Sequence, residues 1–291
     1  MIPVRHHKGK RVGVLGLGRS GVAAAAALRA GGAHPVCWDD SEVRRLAVPE
    51  FELAEILRPR EASTLDALVI SPGIPHLYPQ PHPAVALARE NGISVDNDVG
   101  LFFRALLDAD PEDFDDEEPS PKVIAVTGSN GKSTTTALIH HILKSAGRPT
   151  QMGGNIGVGV LDLEIPEPGE IVVLELSSYQ TELARCLAPD VAVFLNLSPD
   201  HLDRHSGRGG YFAAKRRLFE VGAPQHAVIG IDESEGQFLT GLVDAPIRIS
   251  VSGKPKSAGQ SVFMNRHHLT EWRGKQIAAV DLRPALALLG R

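Results

Sequence analysis

Apolar residues along the 291-residue chain gather into short continuous runs separated by amphipathic stretches of helical length. Arg11–Leu15, Pro35–Trp38, Leu65–Ile70 and Ile93–Val95 read as strands, with helices over Val22–Ala30, Pro83–Asn91 and Val99–Leu107. Strands that alternate with helices predict a parallel sheet covered on both faces. The rhythm resumes with strands at Val123–Val126, Pro149–Met152, Ile171–Leu174, Val191–Leu195, His226–Ile231 and Pro246–Val251, and helices at Thr135–Ala146 and Tyr211–Glu220. From Val262 to Ala279 the pattern alternates around Gly274, which predicts hairpins.

Between the two halves, Asp108–Pro121 carries eight acidic residues and three prolines and cannot build a core. It divides the chain into an expected first domain at 1–107, an acidic linker at 108–121 and a second domain at 122–291. Thirty basic and thirty-five acidic residues, a net charge of -5, give no general surface for nucleic acid or membrane. Cys37 and Cys186 stand far apart in apolar surroundings, which points to buried thiols in a reducing compartment rather than a disulfide. No run approaches the roughly 18 apolar residues of a membrane span, and no signal-peptide pattern opens the chain, so a cytoplasmic protein is expected.

The candidate chemistry begins at Ala125-Val-Thr-Gly-Ser-Asn-Gly-Lys-Ser-Thr-Thr-Thr136, where a buried strand runs into a helix. Gly128 and Gly131 permit a tight turn with inward backbone N–H groups, and a helix N-terminus favours an anion. Lys132 would meet β- and γ-phosphates, and the Ser133 hydroxyl would reach Mg²⁺. The full P-loop pattern has a glycine where this chain has Val126, and an ordinary Gly-Asn turn entering a helix is the plainer alternative. In the first half, Gly16-Leu-Gly-Arg-Ser-Gly21 follows a strand, and Asp39-Asp40 ends the next one roughly 20 residues on, where a dinucleotide fold places a ribose carboxylate. That turn suits NAD or any other diphosphate ligand. Ser71-Pro72-Gly73-Ile74-Pro75 is a rigid loop at a strand's carboxyl end, where open α/β sheets bind ligands. Farther along, Gly153-Gly-Asn-Ile-Gly157 has the glycine density of a backbone passing close to a ligand. Glu175 at the tip of a buried strand is placed to bind Mg²⁺, or to cap the next helix. Asp200, His201, Asp203 and His205 follow another strand as a metal-rich turn, or as surface polar residues.

Taken in order, Gly-Ser-Asn-Gly-Lys-Ser, Gly-Gly-Asn-Ile-Gly, Glu-Leu-Ser-Ser-Tyr-Gln, Asn-Leu-Ser-Pro-Asp-His-Leu-Asp-Arg-His and Tyr-Phe-Ala-Ala-Lys resemble the Mur ligases of peptidoglycan precursor synthesis, over the whole chain. Glu-Leu-Ser-Ser-Tyr-Gln and Gly-Leu-Gly-Arg-Ser-Gly, followed by Ser-Pro-Gly-Ile, resemble the branch that adds D-glutamate to UDP-N-acetylmuramoyl-L-alanine. The resemblance implies an α/β chain with a Rossmann-like parallel-sheet N-terminal domain followed by a P-loop-type α/β central ATPase domain. It implies ATP and Mg²⁺, with the γ-phosphoryl passing to a substrate carboxylate and an amine attacking the acyl phosphate. Gly128, Ser129, Asn130, Gly131, Lys132, Ser133 and Thr134 would bind ATP. Lys132, His201 and Lys215 would be catalytic, and Ser133, Glu175, His201 and a carbamylated Lys215 would hold metal. Arg216 and Arg217 are expected to favour the neutral Lys215 amine that carbamylation needs. Arg19, Ser20, Asp39, Ser71, Pro72, Gly73, Asn155 and Ser177 would bind the uridine-linked substrate.

Two departures qualify the resemblance. Family members have a third, carboxyl-terminal domain that this stretch does not include, so a monomeric two-domain piece that binds ligands and catalyses poorly is expected. Asp40 stands where the D-glutamate-adding branch often has a small hydroxyl residue. Two other readings are an NAD-dependent oxidoreductase built on the first glycine turn, and a nucleotide-binding scaffold that kept the fold and lost the reaction.

Overall fold

The computed structural model describes residues 1–108, 119–256 and 259–284. The chain is α/β, with two sheets that meet through one continuous apolar core. Most of the acidic stretch read as a linker lies outside the described residues, as does the terminal Leu288–Arg291.

The first sheet is built from β1 (Arg11–Leu15), β2 (His34–Trp38), β3 (Glu52–Leu53), β4 (Ala67–Ile70) and β5 (Ser94–Asp96), in the order β3-β2-β1-β4-β5. Every neighbouring pair is parallel, with Val14 opposite Cys37 on one side and Val69 on the other. The connecting helices are α1 (Arg19–Ala30), α2 (Glu42–Leu46), α3 (Pro59–Ala62), α4 (Pro83–Glu90) and α5 (Asp98–Leu107). Because β1 has β2 on one side and β4 on the other, their carboxyl ends open a crevice of the kind where doubly wound folds bind ligands. The turn after β1 depends on Gly21, since a Cβ there would lie 1.7 Å from the Gly16 carbonyl oxygen. That close packing brings α1 down onto the strand it follows. The short α2, β3 and α3 carry no periodic signal in the sequence; they fill the return from β2 to β4.

The second sheet joins β6 (Lys122–Thr127), β7 (Thr150–Gly154), β8 (Ile171–Glu175), β9 (Val191–Phe194), β10 (His226–Gly230), β11 (Ile247–Ser250), β12 (Gln260–Asn265), β13 (His268–Arg273) and β14 (Gln276–Asp281). Their order is β14-β13-β12-β11-β10-β9-β6-β8-β7, parallel from β7 to β12 and antiparallel across β12-β13-β14, where the expected hairpins form. Helices α6 (Lys132–Ser145), α7 (Ser178–Leu183), α8 (Arg208–Glu220) and α9 (Ser234–Leu239) connect them. Among the described residues no helix is long and apolar enough to cross a membrane. Cys37 and Cys186 are both free thiols, the first buried and the second half-buried.

The halves are joined by buried side chains as well as by chain. Ile2 donates its N–H to the Leu161 carbonyl at 3.0 Å, and the basic N-terminal stretch is thereby anchored in the core. At the start of α5, Asn97 Nδ2 donates to the Gln180 carbonyl at 2.8 Å, and Asp96 Oδ1 accepts from the Arg185 N–H at 3.0 Å. Asp98 is hydrogen-bonded to the side chains of Gln180 and Ser20. Burial pushes both Asp96 and Asp98 up to about 6.

A carboxyl whose pKa is raised by folding binds its proton more tightly in the native state, so stability falls as pH climbs from about 4 through 6 and is flat above. The rise from 3.8 to about 6 at Asp98 corresponds to up to about 3 kcal/mol. Asp98→Asn is therefore expected to stabilise the protein at pH 8 by up to that amount and by only about 1 kcal/mol at pH 4.5. Urea unfolding at the two pH values checks this, and equal effects at both would contradict it.

Candidate functional site

Strand β6 ends at Thr127 and α6 begins at Lys132, leaving four residues to reverse the backbone. Gly128 (φ 151°) and Gly131 (φ 81°) take conformations that side chains resist, and a Cβ on Gly128 would lie 2.9 Å from Leu195 Cβ. The loop is locked to the segment after β9. Asn130 N–H donates to Asn196 Oδ1 at 2.9 Å while Asn196 Nδ2 donates to the Asn130 carbonyl at 3.1 Å. Ser129 Oγ donates to the Ser198 carbonyl and accepts the Ser198 N–H. Lys132 Nζ donates to the Ser129 carbonyl at 2.8 Å, which sets its charge beside the loop. With the first backbone N–H groups of α6 lacking helical partners, the turn from Gly128 to Thr134 forms a cradle whose donors would suit an anion.

Strand β8 lies next to β6, with Glu175 opposite Val126, and so delivers the Glu175 carboxylate to the flank of this cradle. Glu175 Oε2 accepts the Ser133 hydroxyl at 2.7 Å and Oε1 accepts Asn155 Nδ2 at 3.1 Å. A buried carboxylate beside a hydroxyl at the edge of a phosphate cradle is the hard-oxygen donor set that suits Mg²⁺. Lys215 comes up from α8, buried, and donates to the Gly128 carbonyl at 2.7 Å. Its Nζ lies 4.5 Å from the centre of the Tyr211 ring. Burial, and after it the charge of Lys132, lower its pKa to about 7. The neighbouring arginines expected to do this are engaged elsewhere, Arg216 with Glu220 and Arg217 with the carbonyls of Thr181 and Ala184.

The segment after β9 is not the single metal-rich turn that its spacing suggests. His201, with φ of 48°, is half exposed, packs against Tyr179 at 5.0 Å and lies 3.4 Å from Asp200. His205 is buried instead, hydrogen-bonded to Ser178 and Glu182. Among the described residues no three His, Cys, Asp or Glu side chains converge as metal ligands. Ser133 and Glu175 are thus brought together and His201 is not in contact with them.

In the first domain a cleft of about 760 Å³ lies over the crevice between β1 and β4. It gathers Arg19, Ser20, Asp39, Ser71, Pro72 and Gly73 with Asn155 from the second domain. Asp39 holds the turn, accepting the N–H groups of Leu17 at 2.7 Å and Ser41 at 2.8 Å. Ser71 Oγ donates to the Gly16 carbonyl at 2.8 Å, and Arg19 reaches across to the Gly157 carbonyl at 2.8 Å. Ser177 is not in this cleft; its hydroxyl caps α7 in a reciprocal box with Gln180. Two cleft residues escape a reading of the sequence. Arg44 approaches Asp39 at 3.3 Å, and His82 Nε2 lies 3.1 Å from Asp40. His82 has only a pairing across the fold to announce it, while Arg44, one turn into α2, becomes readable once that helix is known.

Comparison with known proteins adds identity to geometry. The model of the Mur ligase middle domain matches residues 126–283. A UDP-N-acetylmuramoylalanine--D-glutamate ligase of Cereibacter sphaeroides is 59% identical over all of this chain and 64% of its own length. One of Ruegeria pomeroyi is 57% identical over the same shares. The chain thus spans about 64% of the length of these curated relatives. Among solved structures, the UDP-N-acetylmuramate-alanine ligase of Thermotoga maritima superposes with a TM-score of 0.47 at 18% identity, covering 93% of this chain and 60% of that one.

Proposed function

The chain belongs to the Mur ligase family, and from that premise we propose that it carries the uridine-substrate and ATP sites of a ligase joining D-glutamate to UDP-N-acetylmuramoyl-L-alanine. The observation that carries this reading is the meeting of Ser133, Glu175 and Lys215 around one phosphate cradle. In the proposed reaction the γ-phosphoryl of ATP passes to the substrate carboxylate, and the D-glutamate amine displaces phosphate from the acyl phosphate. Lys132 and the α6 N-terminus stabilise charge on the transferring phosphoryl, where positioning and electrostatics supply most of the catalysis. Ser133 and Glu175, with Lys215 if carbamylated, would hold Mg²⁺, which supplies charge neutralisation at the phosphates. Asn155, which both touches Glu175 and lines the cleft, stands between the two ligands. His201 is assigned to the same reaction space. The cleft takes the uridine diphosphate, with Arg19 as its cation and Asp39 holding the turn in register. The protein is proposed to act as a cytoplasmic monomer in cell-wall precursor synthesis.

Calorimetric titration with Mg·ATP and with UDP tests the two sites separately. Lys132→Ala is expected to abolish or severely weaken ATP binding and leave UDP unchanged. Asp39→Ala is expected to weaken UDP by about 1–3 kcal/mol and leave ATP unchanged. Saturable NADH binding with no response to UDP would overturn the reading.

Carbamylation needs a neutral amine, and the Lys215 pKa near 7 makes that form grow as pH rises through neutrality. ¹³C NMR of the protein in ¹³C-bicarbonate is expected to show a carbamate signal that is several-fold stronger at pH 8 than at pH 6 and absent in Lys215→Arg. A signal of equal strength in that variant would assign the carbamate elsewhere.

A further inference from the structure

Outside the phosphate cradle, the buried His76 and His205 and the partly buried Glu182 form a chain of contacts between the two sheets. Glu182 on α7 faces two histidines, one through each carboxylate oxygen. Oε1 lies 3.1 Å from His205 Nδ1, and Oε2 lies 3.3 Å from His76 Nε2. His205 Nε2 lies 2.9 Å from Ser178 Oγ. The His205 contacts are hydrogen bonds, and when Nδ1–H donates to Glu182 Oε1 the Nε2 atom accepts the Ser178 hydroxyl, while the His76 ring stands within ion-pair range of Oε2. Burial lowers the pKa of His76 and favours its neutral form.

The order Ser178–His205–Glu182 copies the layout of a hydrolytic triad. Ser178 is nevertheless only 3% exposed, within the first turn of α7, so no substrate carbonyl can reach it. A positioning role remains. His76 follows the Ser71–Gly73 loop that lines the substrate cleft, and His205 closes the segment that carries His201. Arg204, between them, donates to the Gly73 carbonyl at 2.9 Å and stacks 4.8 Å from the Tyr179 ring. Tyr179 in turn packs on both His201 and His205.

We infer that Glu182 is a positioning residue which, by holding His76 and His205 on one carboxylate, couples occupancy of the uridine cleft to occupancy of the ATP cradle. The inference rests on the ligase reading of both sites. Removing either contact leaves the substrate loop tied to the segment after β9 by the Arg204 bond to the Gly73 carbonyl without the brace of the carboxylate, and that segment is the one bonded to the cradle through Asn196 and Ser198.

The test is a ligand cycle on the whole 291-residue chain: the affinity of UDP-N-acetylmuramoyl-L-alanine with and without saturating Mg·AMP-PNP. In the parent the two affinities are expected to differ by about fivefold or more, the lower end of coupling between sites. Glu182→Gln and His76→Ala should each keep the affinity for either ligand alone within about twofold and bring the coupling close to one. His76→Gln, whose Nε2 can donate to Glu182 in place of the imidazole, should restore it. Undiminished coupling in both Glu182→Gln and His76→Ala, failure of His76→Gln to restore it, or no coupling in the parent, would overturn the inference while leaving the ligase reading intact. A parent that binds neither ligand would overturn that reading and the inference with it.

Discussion

The central constraint in this protein is the side-by-side register of β6, β8 and β9. Parallel pairing sets Val126 opposite Glu175 and Thr127 opposite Phe194, so three strands end in one layer and their loops must share one space. The residues at and beyond the three strand ends are therefore brought together: the glycine turn after β6, the carboxylate at the tip of β8 and the Asn196–Ser198 segment after β9. Hydrogen bonds between these loops then convert proximity into fixed geometry. Lys215 enters from beneath, on a helix that the same sheet supports. Its desolvation has a chemical consequence, because a buried amine with a pKa near neutrality is available to react where a surface lysine is not.

A second register, in the smaller sheet, does the same for the first domain. Gly16 after β1 and Ser71 after β4 meet through the Ser71 hydroxyl, and Asp39 after β2 ties the intervening turn by two backbone N–H groups. A carboxylate so engaged does structural work in the site it lines. The two registers are linked by Asn155, Arg19, Asp98 and the Glu182 contacts, which lie along the seam between the sheets. The seam is rich in buried hydrogen bonds, and such contacts specify one relative arrangement more strongly than apolar packing does.

Several residues show how far the sequence is legible. Gly128 to Ser133 can be read because its chemistry is local: glycines for the turn, a lysine and a hydroxyl at a helix start. Glu175 is legible as a strand-end carboxylate, although its union with Ser133 needs the strand order. His201 and His205 look like one cluster in sequence because four residues of spacing say nothing about direction. Both rings pack on Tyr179, but His201 is half exposed beside Asp200 while His205 is buried against Ser178 and Glu182. The resemblance implies a substrate role for Ser177, while the Ser-Ser-Tyr-Gln order by itself contains the capping box that the structure shows. Arg216 and Arg217 gain an apparent effect on Lys215 through adjacency in sequence, whereas their side chains leave the helix toward other partners.

The sequence by itself determined the α/β class, the alternation of strands and helices, and the order of motifs that marks the family. Each is a local or periodic property, written in hydrophobic runs, glycine turns and short-range chemistry. Tertiary structure decided which strands lie side by side, which histidine is buried, what lowers the Lys215 pKa, and which residues cross the seam between the sheets. Those depend on desolvation and on contacts between residues far apart in the chain, such as Glu182 with His76. Neither periodicity nor spacing encodes them.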